Sequence, residues 1–213
     1  MVRLEKFKIT RKGKQAKYVS DLADVKGNKH FRISITGPGN LIKKVFAESD
    51  FDIKIDPKGT ERDFKKERAI FWKSHSKKFS KSLKPEEGLL DIFKKKRIRK
   101  PTKNNSIIVS LEKIGGKGTY WRYQQSLFLP KGVDAFFIFP RVNFTHGVII
   151  PSSGDPDLYL YSNDSYKSSS LNSSGLDSVY YDSFFQENVV IRVNGYKEGH
   201  CFFFGQGIGV SPF

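Results

Sequence analysis

The second half of this chain is a succession of short strand-like runs, most of them alternating apolar and polar residues: SIIVSLEKI, TYWRYQQSLFL, DAFFIF, GVII, DLYLYS, DSVYYDSF, NVVIRVNGY and HCFFFGQGI. A period of two places successive side chains on opposite faces of an extended strand, so an alternating run turns one apolar face toward a core. Several such runs at roughly even spacing, with turns between them, predict an all-β sandwich or barrel. No internal repeat of fixed period is present. Phe (19) and Tyr (9), with a single Met, must fill much of the core. The Ser/Asn-rich stretch SNDSYKSSSLNSSG reads as a flexible surface connection.

The first 57 residues carry shorter alternating runs, Phe7-Lys8-Ile9, Phe31 to Ile35 and Phe51 to Ile55, separated by GN, GPGN and DPKG turn signals. This region reads as β-rich, with LIKKVFA (41–47) compatible with either a strand or a helical turn. From Thr60 the period changes. Thr60 as N-cap, Glu61 in the first turn, Asp63 at the capping-box position, and Phe64, Phe71, Phe79 and Leu83 near one face predict a helix to about Ser82. A second helix follows Pro85, with Glu86 and Glu87 near its positive end and KKKRIRK near its negative end.

The net charge of +16 is unevenly placed. Residues 1–57 hold 13 Lys/Arg against 7 Asp/Glu, residues 58–105 hold 17 against 6, and residues 106–213 hold 8 against 9. The break falls at the polar stretch Pro101 to Asn105. It predicts three parts: a β-rich region 1–57, a basic helical segment and linker 58–105, and a β-sandwich 106–213. The fold class expected is therefore mainly β, a jelly-roll-like C-terminal antiparallel sandwich preceded by a small basic α+β region. One cysteine, Cys201, excludes an internal disulfide. No window reaches the ~18 apolar residues of a membrane span, and the start lacks the apolar centre of a signal peptide. The default expectation is cytoplasmic.

The order WRYQQSLFLPKG (121–132), GDPDLYLYS (154–162), GLDSVYY (175–181) and NVVIRVNGY (188–196) resembles the bacterial pre-peptidase C-terminal domain over about residues 115–208. That family reads as an aromatic strand with a Pro-small-Gly turn, a G-D-x-D-L-Y-L strand, a D-S turn-strand and a Y-x-x-R-V-x-G-Y strand. The chain departs from it at Phe185-Gln186-Glu187-Asn188 and in the lengthened middle run DAFFIFPRVNFTHGVII. The resemblance implies a non-catalytic β-sandwich that binds a polymer, another protein or a neighbouring domain, and it argues for an extracellular location.

Asp155 and Asp157, two apart, would share one face of a strand as hard-oxygen ligands for calcium. Calcium takes six to eight oxygens, and the competing reading makes them turn residues shaped by Gly154 and Pro156 ahead of Leu158 and Leu160. With the leucines inward, Tyr159 and Tyr161 form the opposite face and a candidate contact surface. Cys201 and His200 are consecutive on a strand and point to opposite faces, so they make no nucleophile–base pair. No GxSxG, HExxH or phosphate-loop motif is present, so the expectation is not an enzyme.

Lys94, Lys95, Lys96, Arg97, Arg99 and Lys100 form a dense basic patch suited to an acidic protein surface or a polyanion. The function expected is thus a non-catalytic binding or structural component of a larger assembly, the sandwich contacting a protein or polymer and the basic helices docking an acidic surface. The alternatives are nucleic-acid binding through 58–105 and an accessory targeting module for a cell-surface hydrolase.

Overall fold

The structure, a computed structural model, describes residues 2–23, 29–46, 50–56, 104–113, 119–162, 165–171 and 176–209. The predicted helices of 58–105 and their basic patch lie outside the described residues. Twelve strands form one mixed sheet: β1 (Val2–Arg3), β2 (Lys8–Lys12), β3 (Gln15–Ala23), β4 (Lys29–Pro38), β5 (Asp50–Asp56), β6 (Ser106–Lys113), β7 (Thr119–Leu129), β8 (Asp134–Pro151), β9 (Asp155–Ser162), β10 (Ser165–Ser170), β11 (Asp177–Lys197) and β12 (Gly199–Gly209). Among the described residues the one α-helix, α1 (Gly39–Val45), follows β4, and a 3-10 turn covers Leu4–Lys6. The helix settles the ambiguity of LIKKVFA, because a helical turn lets Ile42 and Val45 enter the core together.

β8 is the spine. Its first half pairs with β6 on one edge, its second half with β12, and β11 runs along its other edge over both halves. Between the halves Arg141 adopts a left-handed backbone, φ 52, and its N–H donates to Asn188 Oδ1 at 3.1 Å. Register shifts between Asp182 and Glu187 and between Glu187 and Val189 accompany this bend. Across the interior, Phe137 stacks on Phe203 at 4.2 Å, with Tyr123 tilted against both. A Cβ placed on Gly147 would sit 2.5 Å from Ile191 Cδ1, so β8 and the Ile191 side chain of β11 pack closely there.

The fold is mainly β, as the alternating runs predicted, and its sheet is mixed: β6 and β8 pair in parallel from Ser106↔Asp134 to Ser110↔Ile138, the other pairings being antiparallel among the described residues. The boundary at 101–105 does not separate a β-rich region from a sandwich, because β4 pairs with β6 and β5 with β7. Ile33, Ile35, Ile42 and Phe46 share one core cluster with Val109, Leu127, Phe137 and Phe203. Net charge counts solvent-facing residues and is blind to pairing, which the inward apolar residues decide. At one end of the path β2, KITRK, is exposed throughout, a charged strand at the sheet edge.

The turn before β9 is built around Gly154. Its φ is +78, and Ser152 and Ser153 donate their N–H groups to the His200 carbonyl at 2.9 and 3.1 Å. A Cβ on Gly154 would lie 2.6 Å from the Glu198 carbonyl oxygen. Pro156 lies inside β9, opposite Gly195, rather than in the turn.

Candidate functional site

β10 is built from SYKSSS, a stretch of low β-propensity read above as part of a flexible loop; it is a strand because β9 pairs with it from Ser165↔Ser162 to Ser170↔Leu158. The register shifts between Tyr166 and Ser168, a bulge at Lys167 that re-aims the serines after it. Opposite stands the first part of β11, residues 177–182, paired on one side to β8. Between the two lies an open cleft of ≈ 750 Å³, lined on the β10 side by Lys167, Ser168 and Ser169 and on the β11 side by residues 178–183 and Glu187. Ser170 Oγ donates to Asp177 Oδ1 at 2.7 Å, tying the two strands together at one end. The cleft is thus flanked by two irregularities, the Lys167 bulge and the break in β11 after Asp182.

Its chemistry is hydroxylic and acidic. The Ser162 hydroxyl donates to Glu187, and this bond, then one from Tyr181, holds the Glu187 carboxyl below the usual range. Tyr166 and Ser169 hydroxyls share a bond at 2.8 Å. The Ser168 hydroxyl is buried and has no hydrogen-bond partner among the described residues. Burial and then the Asp182 carboxylate raise the pKa of Tyr180, which is half-buried in the wall. None of these residues was singled out by sequence; Ser162 and Glu187 are 25 positions apart, and the only local signal was the density of hydroxyls in SYKSSS and DSVYYDS.

Among the residues that were singled out, Leu158 and Leu160 are fully buried, as the alternation predicted. The tyrosine face is not the open contact surface expected. Tyr161 is 4% exposed, with the Tyr166 ring edge-on at 6.0 Å, because β10 pairs alongside β9. The ring of the half-buried Tyr159 is covered by the Arg192 guanidinium at 4.8 Å. Asp155 is buried and Asp157 half-buried, and Asp157 lies close enough to Asp155 and Asp177 to be repelled by both. Among the described residues no three Asp, Glu, His or Cys side chains are grouped to hold a metal ion. Cys201 is buried and its thiol is pushed up to about 12 by burial, while His200 is exposed and packs on Phe128 at 4.8 Å. Lys94, Lys95, Lys96, Arg97, Arg99 and Lys100 lie outside the described residues. Among the described residues no helix is long and apolar enough to cross a membrane.

No protein-family model matches the sequence, and no curated protein matches it. Among solved structures the chain is similar to the periplasmic inhibitor of g-type lysozyme from Aeromonas hydrophila, at 9% identity and TM-score 0.33, over 47% of this chain and 95% of that one. It is also similar to the pre-peptidase C-terminal domain of a Bacillus anthracis collagenase, at 11% identity and TM-score 0.30, over 49% and 94%. A de novo designed double-stranded β-helix aligns at 11% identity and TM-score 0.28, over 39% and 96%. Likenesses of this size carry nothing about what this chain binds.

Proposed function

We propose that this chain is a non-catalytic binding module that takes its ligand in the cleft between β10 and β11. The observation that carries this reading is the fixed Glu187 carboxylate, anchored by Ser162 and Tyr181 at the border of an open, hydroxyl-lined cleft. Such a group is an acceptor held in place before any ligand arrives, so little ordering cost remains at binding. Its pKa is lowered, which suits an acceptor and not a proton donor. No imidazole or thiol lines the cleft among the described residues, and the buried Cys201 stays protonated at neutral pH.

The reading is tested by thermal denaturation of wild type and Tyr180→Ala against a panel of soluble saccharides, peptides and nucleotides. A ligand at 100 times its Kd stabilises the folded state by about 2.7 kcal/mol. The expected result is a ligand that raises the melting temperature of wild type and not of Tyr180→Ala. Chemical turnover of that ligand overturns the non-catalytic reading, and a panel without any Tyr180-dependent shift overturns the cleft.

A further inference from the structure

We propose that the open edge of β2 is a docking strand for an extended acidic peptide, which adds to the sheet beside Lys8–Lys12 at a place separate from the cleft between β10 and β11. β2 pairs with β3 alone among the described residues and stands at the end of the strand path. The hairpin fixes which main-chain groups are open. Lys12 and Gln15 flank a two-residue turn in which Gly13 is left-handed, φ 61, so they form a hydrogen-bonded pair. The alternation of an antiparallel ladder then points the N–H and C=O groups of Lys8, Thr10 and Lys12 at β3, and those of Ile9 and Arg11 at the open edge. Such a row of open main-chain groups is the template on which an added strand forms.

Charge decides which strand fits. Between Leu4 and Ser20 lie six cations, Lys6, Lys8, Arg11, Lys12, Lys14 and Lys17, against one carboxylate, Glu5. All six are exposed, and none is paired with a carboxylate among the described residues. Thr10 opposes Lys17 and Lys12 opposes Gln15, so Lys8, Thr10, Lys12 and Lys17 share one face of the hairpin. Arg11 lies on the other face with Ile9, which is 46% exposed although Tyr18 across the pair is buried. A strand laid along β2 thus meets Lys8 and Lys12 on one face, and Ile9 and Arg11 on the other. In antiparallel register the complement reads Glu-Glu-Thr-Val-Glu, opposite Lys12, Arg11, Thr10, Ile9 and Lys8 in that order. Opposite charges directly across a pair stabilise a sheet.

A second copy of this chain is the first rival, and the same charges work against it. Two β2 strands paired antiparallel about Thr10 bring Lys8 of each opposite Lys12 of the other, and like charges directly opposite destabilise a pair. Lysines on an edge block self-pairing in this way, whereas a strand of opposite sign escapes the block. Nucleic acid is the second rival. It answers the charge but leaves the main-chain groups of Ile9 and Arg11 without partners, and KITRK carries no aromatic ring on which a base could stack.

The experiment is fluorescence anisotropy of the full chain with a fluorescein-labelled peptide containing Glu-Glu-Thr-Val-Glu. The same peptide N-methylated at its valine and second glutamate, and a labelled oligothymidylate, are measured alongside. Wild type should bind the plain peptide, and Lys8→Gln combined with Lys12→Gln should weaken binding by about tenfold. Ile9→Pro removes a main-chain donor on the open edge while leaving every charge and the pairing with β3, so it should abolish binding. N-methylation removes the peptide's own donors toward β2 and should abolish binding to wild type, a test that holds whether or not Ile9→Pro folds. Circular dichroism melting checks the variants. No binding of the plain peptide, or binding that survives N-methylation or a folded Ile9→Pro, overturns the proposal. Oligothymidylate binding that needs Lys8 and Lys12, without peptide binding, overturns it in favour of a polyanion. A concentration-dependent dimer in sedimentation that Ile9→Pro abolishes overturns it in favour of a second copy.

Discussion

Arg192 Nε donates to Asp134 Oδ1 at 2.8 Å, and this bond joins the last third of β11 to the first residue of β8. Both side chains are under 10% exposed, and Asn194 Nδ2 donates to the same oxygen at 2.7 Å. Burial by itself would lower the pKa of Arg192, but the bond to Asp134 and its charge, with Tyr161, outweigh burial and raise it. The guanidinium also lies over Tyr159, so one cation ties β8, β9 and β11 together on the face opposite the core.

Removing one partner of this pair leaves a buried charge uncompensated. Arg192→Met is expected to cost about 3 to 5 kcal/mol in urea denaturation. The double variant Arg192→Met with Asp134→Leu should cost less than Arg192→Met alone, because the desolvation penalty leaves with the charges.

Asp157 responds to pH in the opposite sense to a stabilising ion pair. Burial, then the carboxylates of Asp155 and Asp177, raise its pKa above 3.8, and the Tyr159 hydroxyl at 3.5 Å only partly opposes them. A carboxyl with a raised folded pKa favours the fold when protonated, so its contribution is full below the ordinary pKa and is lost as pH rises through the folded one. Asp157→Asn should therefore be more stable than wild type at pH 7, by less than about 1 kcal/mol after solvent screening. The difference should close below about pH 4, in melting curves taken across that range.

Cys201 should resist thiol reagents in the native protein. With the thiol pushed up to about 12, the thiolate fraction at pH 8 is about a thousandfold below that of an ordinary cysteine. Labelling with iodoacetamide should be slow in buffer and fast in urea; rapid native labelling would show that the strand opens locally.

Gln125 is 1% exposed, and neither end of its amide has a hydrogen-bond partner among the described residues. Gln125→Met keeps the volume and removes two buried polar atoms, so it should stabilise the fold by about 1 to 3 kcal/mol in chemical denaturation. A loss of stability instead would place an ordered water on the amide.

The alternating runs determined the strands themselves. Leu158 and Leu160, Ile33 and Ile35, and Val189, Ile191 and Val193 are inward because a period of two leaves one apolar face to bury, and each fully buried side chain contributes about 2 kcal/mol. Which strands meet was beyond local reading. The parallel pairing of β6 with β8, the joining of residues 29–56 to the C-terminal half and the strand made of SYKSSS depend on edges brought together by long-range packing. Tertiary structure likewise decided the site. It buried Tyr161 under β10, capped Tyr159 with Arg192, and brought Glu187 to Ser162 across β11 and β9. Sequence sets which face of a strand is apolar; pairing and the bend at Arg141 set what that strand's polar face encloses.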